Sequence, residues 1–232
     1  MQILPDHRFK LLAFDMAGML VEHQAAKVGA LVEAFKGTAF KVPTTAQVSE
    51  VAGLDLKLRV KQLAPQASQA EVLELTKRYR SAIQSQLARG EQSVRLFDGV
   101  DTTLGALAHD ETYMAVVTGK DRRGLDATLE MHGFGQHFHS LQTPDTNPRK
   151  PAPDMVWNAN NETATEAQDT VVIGDTSYDM EMARNAGAFA IGVTYGNHTE
   201  ARLRQSGAHV LIHSFAELPA ALKELSHEDY RA

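Results

Sequence analysis

The sequence contains no cysteine. Disulfides, thiolate metal sites and cysteine nucleophiles are therefore excluded, and a reducing compartment such as the cytoplasm is permitted. Long hydrophobic runs are missing too. The apolar stretch before Asp15 is too short for a signal peptide, and none approaches the roughly 18 apolar residues that a membrane span requires. The expectation is a soluble, cytoplasmic chain with no membrane partner. Nor is there a basic cluster. Lys and Arg total 23 against 29 Asp and Glu, for a formal net charge of -6, so the concentrated positive surface that nucleic acids need is lacking. A small anion can still be held by a few local donors. No G-x-G-x-x-G follows the first apolar run and no G-x-x-x-x-G-K-[ST] occurs anywhere, which argues against a dinucleotide-binding or P-loop module.

What remains is ordinary globular material: 232 residues, 43% hydrophobic and 22% charged, enough for one large core and a smaller accessory unit. Short apolar runs that end in polar or Gly-rich turns recur at 8–15, 112–119, 137–143, 169–175, 188–196 and 208–213. They read as buried parallel strands. Amphipathic stretches of helical period separate most of them, at 99–109, 121–132, 153–161, 177–186 and 199–205. This alternation predicts an α/β fold built on a doubly wound parallel sheet. One connection breaks the rhythm. Residues from about 22 to 92 carry only helical periodicity, which predicts a helical domain over 21–94, inserted after the first strand of a core formed by 1–20 and 95–232. Such an insert leaves and returns beside the carboxyl ends of the strands, where open α/β sheets bind their ligands, and is placed to act as a lid.

Four segments at those strand ends carry chemistry. Asp15 closes the first strand, with Asp15-Met16-Ala17-Gly18 turning away from it. Thr118-Gly119 closes the second and suits hydrogen bonding to phosphoryl oxygens. Lys150 stands before a Pro-started helix, where its ammonium can neutralise a nucleophile and developing negative charge. Asp175 and Asp179 follow the strand at 169–175 as two carboxylates four residues apart, oxygen ligands of the kind a hard Mg²⁺ ion prefers. Each has a plainer reading as a turn, cap or solvated residue. In this order, however, the four segments resemble the four signature motifs of the haloacid dehalogenase superfamily, across nearly the whole chain, with the insert resembling that superfamily's all-helical cap.

The resemblance implies a phosphoric ester hydrolase in which Asp15 is the nucleophile, passing through an aspartyl-phosphate, and Thr118 and Lys150 hold the transferring phosphoryl group. It also implies Mg²⁺ held by Asp15, the backbone carbonyl of Ala17, Asp175 and Asp179. Phosphatases of this superfamily usually carry a second Asp two residues after the nucleophile, as general acid and base; here that position is Ala17. Met19 and His23 also depart from the usual first motif. Dehalogenating members, which attack carbon without Mg²⁺, alter the fourth motif, whereas Asp175 and Asp179 are intact here. Phosphonoacetaldehyde hydrolase has Ala at the same place and cleaves a C–P bond through a cap lysine; the matching segment, Gly53 to Arg59, carries Lys57 one residue beyond the position that role requires. Gly53-Leu54-Asp55-Leu56 and Thr118 to Gly124 look more like the phosphoglycolate phosphatase-like branch. The expected substrate is a small phosphorylated or phosphonate metabolite, with Gly119, Lys57 and Arg59 as candidate substrate-binding residues and specificity residing in about 20–64. A catalytically weakened, ligand-binding regulatory protein is the alternative from another class. His198 is expected on a surface loop.

Overall fold

A computed structural model describes residues 7–22, 24–89, 95–108 and 111–227. The chain enters the first strand, β1 (Leu11–Phe14), then forms a two-residue strand β2 (Val21–Glu22) and four helices: α1 (Gln24–Phe35), α2 (Thr45–Glu50), α3 (Leu56–Leu63) and α4 (Gln69–Ala88). It returns through β3 (Arg95–Leu96), which pairs antiparallel with β2. The rest alternates: α5 (Val100–Leu107), β4 (Tyr113–Val117), α6 (Arg122–His132), β5 (Ser140–Gln142), α7 (Asp154–Thr163), β6 (Thr170–Gly174), α8 (Ser177–Ala186), β7 (Phe189–Val193), α9 (Glu200–Gln205), β8 (Val210–Ile212) and α10 (Leu218–His227).

Six strands form one parallel sheet in the order β5-β4-β1-β6-β7-β8. Counted in chain order within the sheet this is 3-2-1-4-5-6, the doubly wound arrangement whose direction reverses between β1 and β6. Side chains alternate across the sheet with the period of two that a strand imposes. Leu12 and Phe14 join Val100, Leu104, Leu125, Leu218 and Leu222 on one face. Leu11 and Ala13 join Met155, Val156, Ala159, Met180 and Ala183 on the other. Both faces are therefore covered, which is why the strands read as continuous apolar runs. The predicted α/β class with a doubly wound parallel sheet is what the molecule has. The predicted strand at 137–143 is shorter than expected, because Gly135–His137 form a 3-10 turn before β5.

The helices between β2 and β3 have an apolar centre of their own, with Leu31, Phe35, Val48, Val60 and Leu75 buried together. Helix α2 opens with a capping box in which Thr44 and Gln47 satisfy one another's backbone donors. Asp55 caps α3 by accepting from the Lys57 N–H at 3.1 Å. No described helix is long and apolar enough to cross a membrane. His23 lies outside the described residues, as does the return near 90–94.

Candidate active site

The reversal point of a doubly wound sheet leaves a crevice at the carboxyl ends of the two diverging strands. Here those strands are β1 and β6, and the next residue after each is an aspartate, Asp15 and Asp175. Both are buried, at 2% and 0% exposure, and so are Asp179 and Lys150. The Lys150 ammonium donates to Asp15 Oδ1 at 2.7 Å and to Asp179 Oδ1 at 2.5 Å. Burial weakens the hold of Lys150 on its proton, but the charges of Asp15 and Asp179 more than offset this and hold it firmly cationic.

The carboxylates are in the opposite position. Burial pushes the Asp15 carboxyl above its ordinary range, assisted by the negative charge of Asp179 and opposed by Lys150. Asp175 is pushed up to about 8, first by burial and then by the charges of Asp15 and Asp179. Lys150 thus pairs with two of the three buried carboxylates, Asp15 and Asp179, while their charges bear on the third, Asp175. Asp175 Oδ2 accepts from the backbone N–H of Asn197 at 2.9 Å and from its side-chain amide at 2.5 Å, while Oδ1 is buried without a hydrogen-bond partner among the described residues. Asp179 is more fully engaged: Oδ1 meets Lys150, and Oδ2 accepts from Thr176 N and Oγ1 at 3.0 and 2.6 Å, closing a capping box at the start of α8.

Ala17 is half-buried, and its N–H donates to Asp15 Oδ2 at 3.0 Å. Gly18 follows with φ +96°, and a Cβ there would overlap the Asp175 carboxylate. Thr118 is buried at the end of β4, its hydroxyl accepting from the Lys120 N–H at 3.2 Å. Lys120, half-buried, lies close enough to Asp15 to feel its charge; its partial burial pulls its ammonium down to about 8, against the opposing pull of Asp15 and Asp121. Its sequence signal is its place two residues after Thr118, within the segment Thr118 to Gly124.

The helical insert rests on this crevice. Gly53, at φ +86°, lies against Thr176 so closely that a Cβ would come within 2.5 Å of the Thr176 hydroxyl, and the Gly53 carbonyl abuts Gly119. Arg149 Nε approaches Asp55 Oδ2 at 2.6 Å, an ionic contact without hydrogen-bond alignment. Arg80 pairs with Asp121 at 3.3 Å, and Arg202 with Glu50. Lys57 is exposed on α3, whereas Arg59 turns back to donate to the Leu54 carbonyl at 2.7 Å. Among the described residues, neither side chain makes a hydrogen bond or ion pair with Asp15, Asp175 or Asp179.

His198 is not on a surface loop. It is 4% exposed, its N–H donates to the Asp175 carbonyl at 3.1 Å, and its Nδ1 accepts the Ser177 N–H at 2.9 Å. Burial, followed by the charge of Arg202, pulls it down to about 4, although the Glu50 and Ser49 carbonyls act the other way. The insert's α2 covers it, which the local sequence around Tyr195-Gly196-Asn197-His198 does not reveal. Asn197 was likewise passed over.

A family model described as haloacid dehalogenase-like hydrolase matches residues 12–193. The chain is 29% identical over 218 residues to the probable phosphatase IndB of Dickeya dadantii, covering 93% of this chain and 94% of that one. It is 28% identical over 198 residues to a phosphoglycolate phosphatase of Vibrio cholerae, covering 82% and 87%. The crystal structure of a hydrolase from Pseudomonas syringae shares the fold at a TM-score of 0.82 and 19% identity, over 94% of this chain and 99% of that one.

Proposed function

This chain belongs to the haloacid dehalogenase-like hydrolase family, and we propose that it is a Mg²⁺-dependent phosphatase of a small phosphorylated metabolite, nearest in kind to the phosphoglycolate phosphatases. The observation that carries this reading is the buried group at the sheet's reversal point: Asp15 paired with Lys150, beside Asp175 with an unpartnered Oδ1. Relatives named phosphatase and phosphoglycolate phosphatase supply the class of substrate.

The residues present fit a magnesium ion. Asp15 and Asp175 are buried carboxylates that repel one another, and Asp175 Oδ1 has no hydrogen-bond partner among the described residues, so they form an oxygen donor set that suits a hard cation. Among the described residues no three His, Cys, Asp or Glu side chains gather into a ready-made metal cage. Mg²⁺ does not need one, since it is commonly held by one or two carboxylates with water and substrate oxygens completing the shell. Asp15, Asp175 and the Ala17 carbonyl would hold it, with Asp179 acting through Lys150 and the α8 cap because both its oxygens are engaged. When bound, the ion supplies charge neutralisation between the nucleophile and the incoming phosphate dianion.

Asp15 attacks phosphorus with a carboxylate oxygen as the bond to the leaving oxygen breaks, giving an aspartyl-phosphate and the freed alcohol, carboxylate or phenolate. Lys150 opposes the effect of burial on Asp15 and so favours its ionised form, and it offsets charge on the transferring group, while the Thr118 hydroxyl is available to a phosphoryl oxygen. Water then attacks phosphorus as the bond from phosphorus to the Asp15 oxygen breaks, releasing phosphate and the Asp15 carboxylate while the water's proton passes to solvent. With Ala17 in place of a proton-exchanging side chain, the leaving group receives no local acid, a form of assistance typically worth about 10² to 10⁴ in rate. Substrates that depart as stable anions, such as acyl or aryl phosphates, are favoured. Such an activity on a small metabolite, in a chain without cysteine, suits the cytoplasm.

Phosphate release from p-nitrophenyl phosphate, acetyl phosphate, phosphoglycolate and phosphonoacetaldehyde, each with Mg²⁺ and with EDTA, tests the reading. Metal-dependent release from the activated substrates is expected, and Asp15→Asn should reduce it to background. Release from phosphonoacetaldehyde with a borohydride-trapped adduct on Lys57 would replace hydrolysis of a phosphate ester with C–P cleavage. Silence across the panel in folded protein would favour a ligand-binding, regulatory role.

A further inference from the structure

A carboxylate that is to present one oxygen to a cation needs its other oxygen fixed, and the groups doing so are commonly neutral hydrogen-bond donors in the next layer out. Asp175 meets that description on one side only. Its Oδ2 receives both the backbone N–H and the amide Nδ2 of Asn197, at 2.9 and 2.5 Å. Among the described residues, its Oδ1 has no hydrogen-bond partner. The residue is closely enclosed: a Cβ at Gly18 or at Gly196 would overlap its side chain, and one at Gly18 would also reach within 2.5 Å of the Asn197 amide nitrogen. Asn197 is itself held, because the next residue, His198, binds the Asp175 carbonyl through its N–H and receives the Ser177 N–H on Nδ1. Two residues earlier, the Tyr195 hydroxyl donates to the Met19 carbonyl at 3.1 Å, tying the same loop to the turn that follows Asp15.

We propose that Asn197 is a positioning residue for metal binding: its paired donors lock Asp175 Oδ2 and leave Oδ1 as the oxygen offered to the cation. This rests on the Mg²⁺ reading above. An amide suits the task chemically. It donates without adding charge, whereas a lysine would neutralise Asp175 and compete with the ion, and an aspartate would crowd a further negative charge against three buried carboxylates.

The test is isothermal titration of Mg²⁺ into the full chain, comparing the parent protein with Asn197→Leu, which removes the amide at similar size, with Asn197→Ala, and with Asn197→Gln, which retains an amide donor. Melting in EDTA monitors the fold. Loss of an outer hydrogen-bonding partner typically weakens metal binding about 10- to 100-fold. That loss is expected for the Leu and Ala variants, with an EDTA melting temperature near that of the parent and with partial recovery in the Gln variant. A merely structural role would instead lower the melting temperature and leave the dissociation constant of the folded fraction unchanged. Should the Leu variant not fold, the Ala variant carries the comparison. Parent-like Mg²⁺ affinity in a folded Leu or Ala variant overturns the inference alone. A parent protein that takes up no Mg²⁺ overturns the metal reading and the inference together.

Discussion

At the scale of single residues, Ala17 is the departure with the largest chemical consequence. It lies half-buried, two residues from Asp15 and tied to it through its own N–H, so a longer side chain there begins at the crevice. Ala17→Asp should therefore raise kcat on an alkyl phosphate such as phosphoglycolate by up to about 10²-fold, and on p-nitrophenyl phosphate much less, because only the poorer leaving group needs a proton. Equal effects on both substrates would count against an acid–base role at this position. Asp175 makes a second residue-scale prediction. Its folded value is raised from 3.8 to about 8, so the folded protein binds this proton more tightly than the unfolded chain does. Stability is then greatest at low pH with respect to this group and declines as pH rises from about 4 to about 8. Thermal melts in EDTA across that window should show the decline, and Asp175→Asn should flatten it.

The four motif positions were legible in the sequence because each sits at a chain feature that sequence records: an apolar run that stops, a Gly, a Pro, a helix start. Asn197 and His198 were not, because their burial comes from α2, far away in the chain, and from Asp175, a partner on another strand.

At the scale of elements, the same distinction holds. The six sheet strands and the helices between them were readable since burial on both faces leaves unbroken apolar runs. The β2–β3 ribbon was not, for two residues per strand are too few to show alternation, and the pairing joins Val21 to Leu96 across the whole insert. That ribbon and the contact of Gly53 with Gly119 and Thr176 set where the insert sits. Gly119→Ala would drive a Cβ to within 2.5 Å of the Gly53 carbonyl. A backbone atom cannot yield as a flexible side chain does, so the insert must shift outward. KM for any substrate enclosed beneath it should rise several-fold, with Asp15, Lys150 and Asp175 left in place and melting changed little. An unchanged KM would mean that the insert does not close over the substrate.

For the molecule as a whole, the sheet brings together residues that are distant in sequence, and among the described residues three ion pairs of unequal worth join the insert to the core around them. Arg80–Asp121 joins two well-exposed side chains, at 60% and 48%, a type of contact worth about 0–1 kcal/mol and easily screened by salt. Glu50, the insert's half of the pair with Arg202, is also exposed. Arg149–Asp55 differs, because the Asp55 side chain is only 7% exposed and also caps α3. Removing its cation leaves a buried carboxylate without a counter-charge, and a single unsatisfied group of this kind costs about 1–3 kcal/mol or more. Arg149→Ala should accordingly raise KM and lower the melting temperature by several degrees, while Arg80→Ala should leave both within about 0.5 kcal/mol of the parent. Steady-state kinetics and melts of the two variants, at low and high salt, check this: equal, salt-sensitive effects would show that the insert is held by diffuse surface charge, and a large, salt-insensitive effect confined to Arg149→Ala would identify Asp55 as the seat on which it rests.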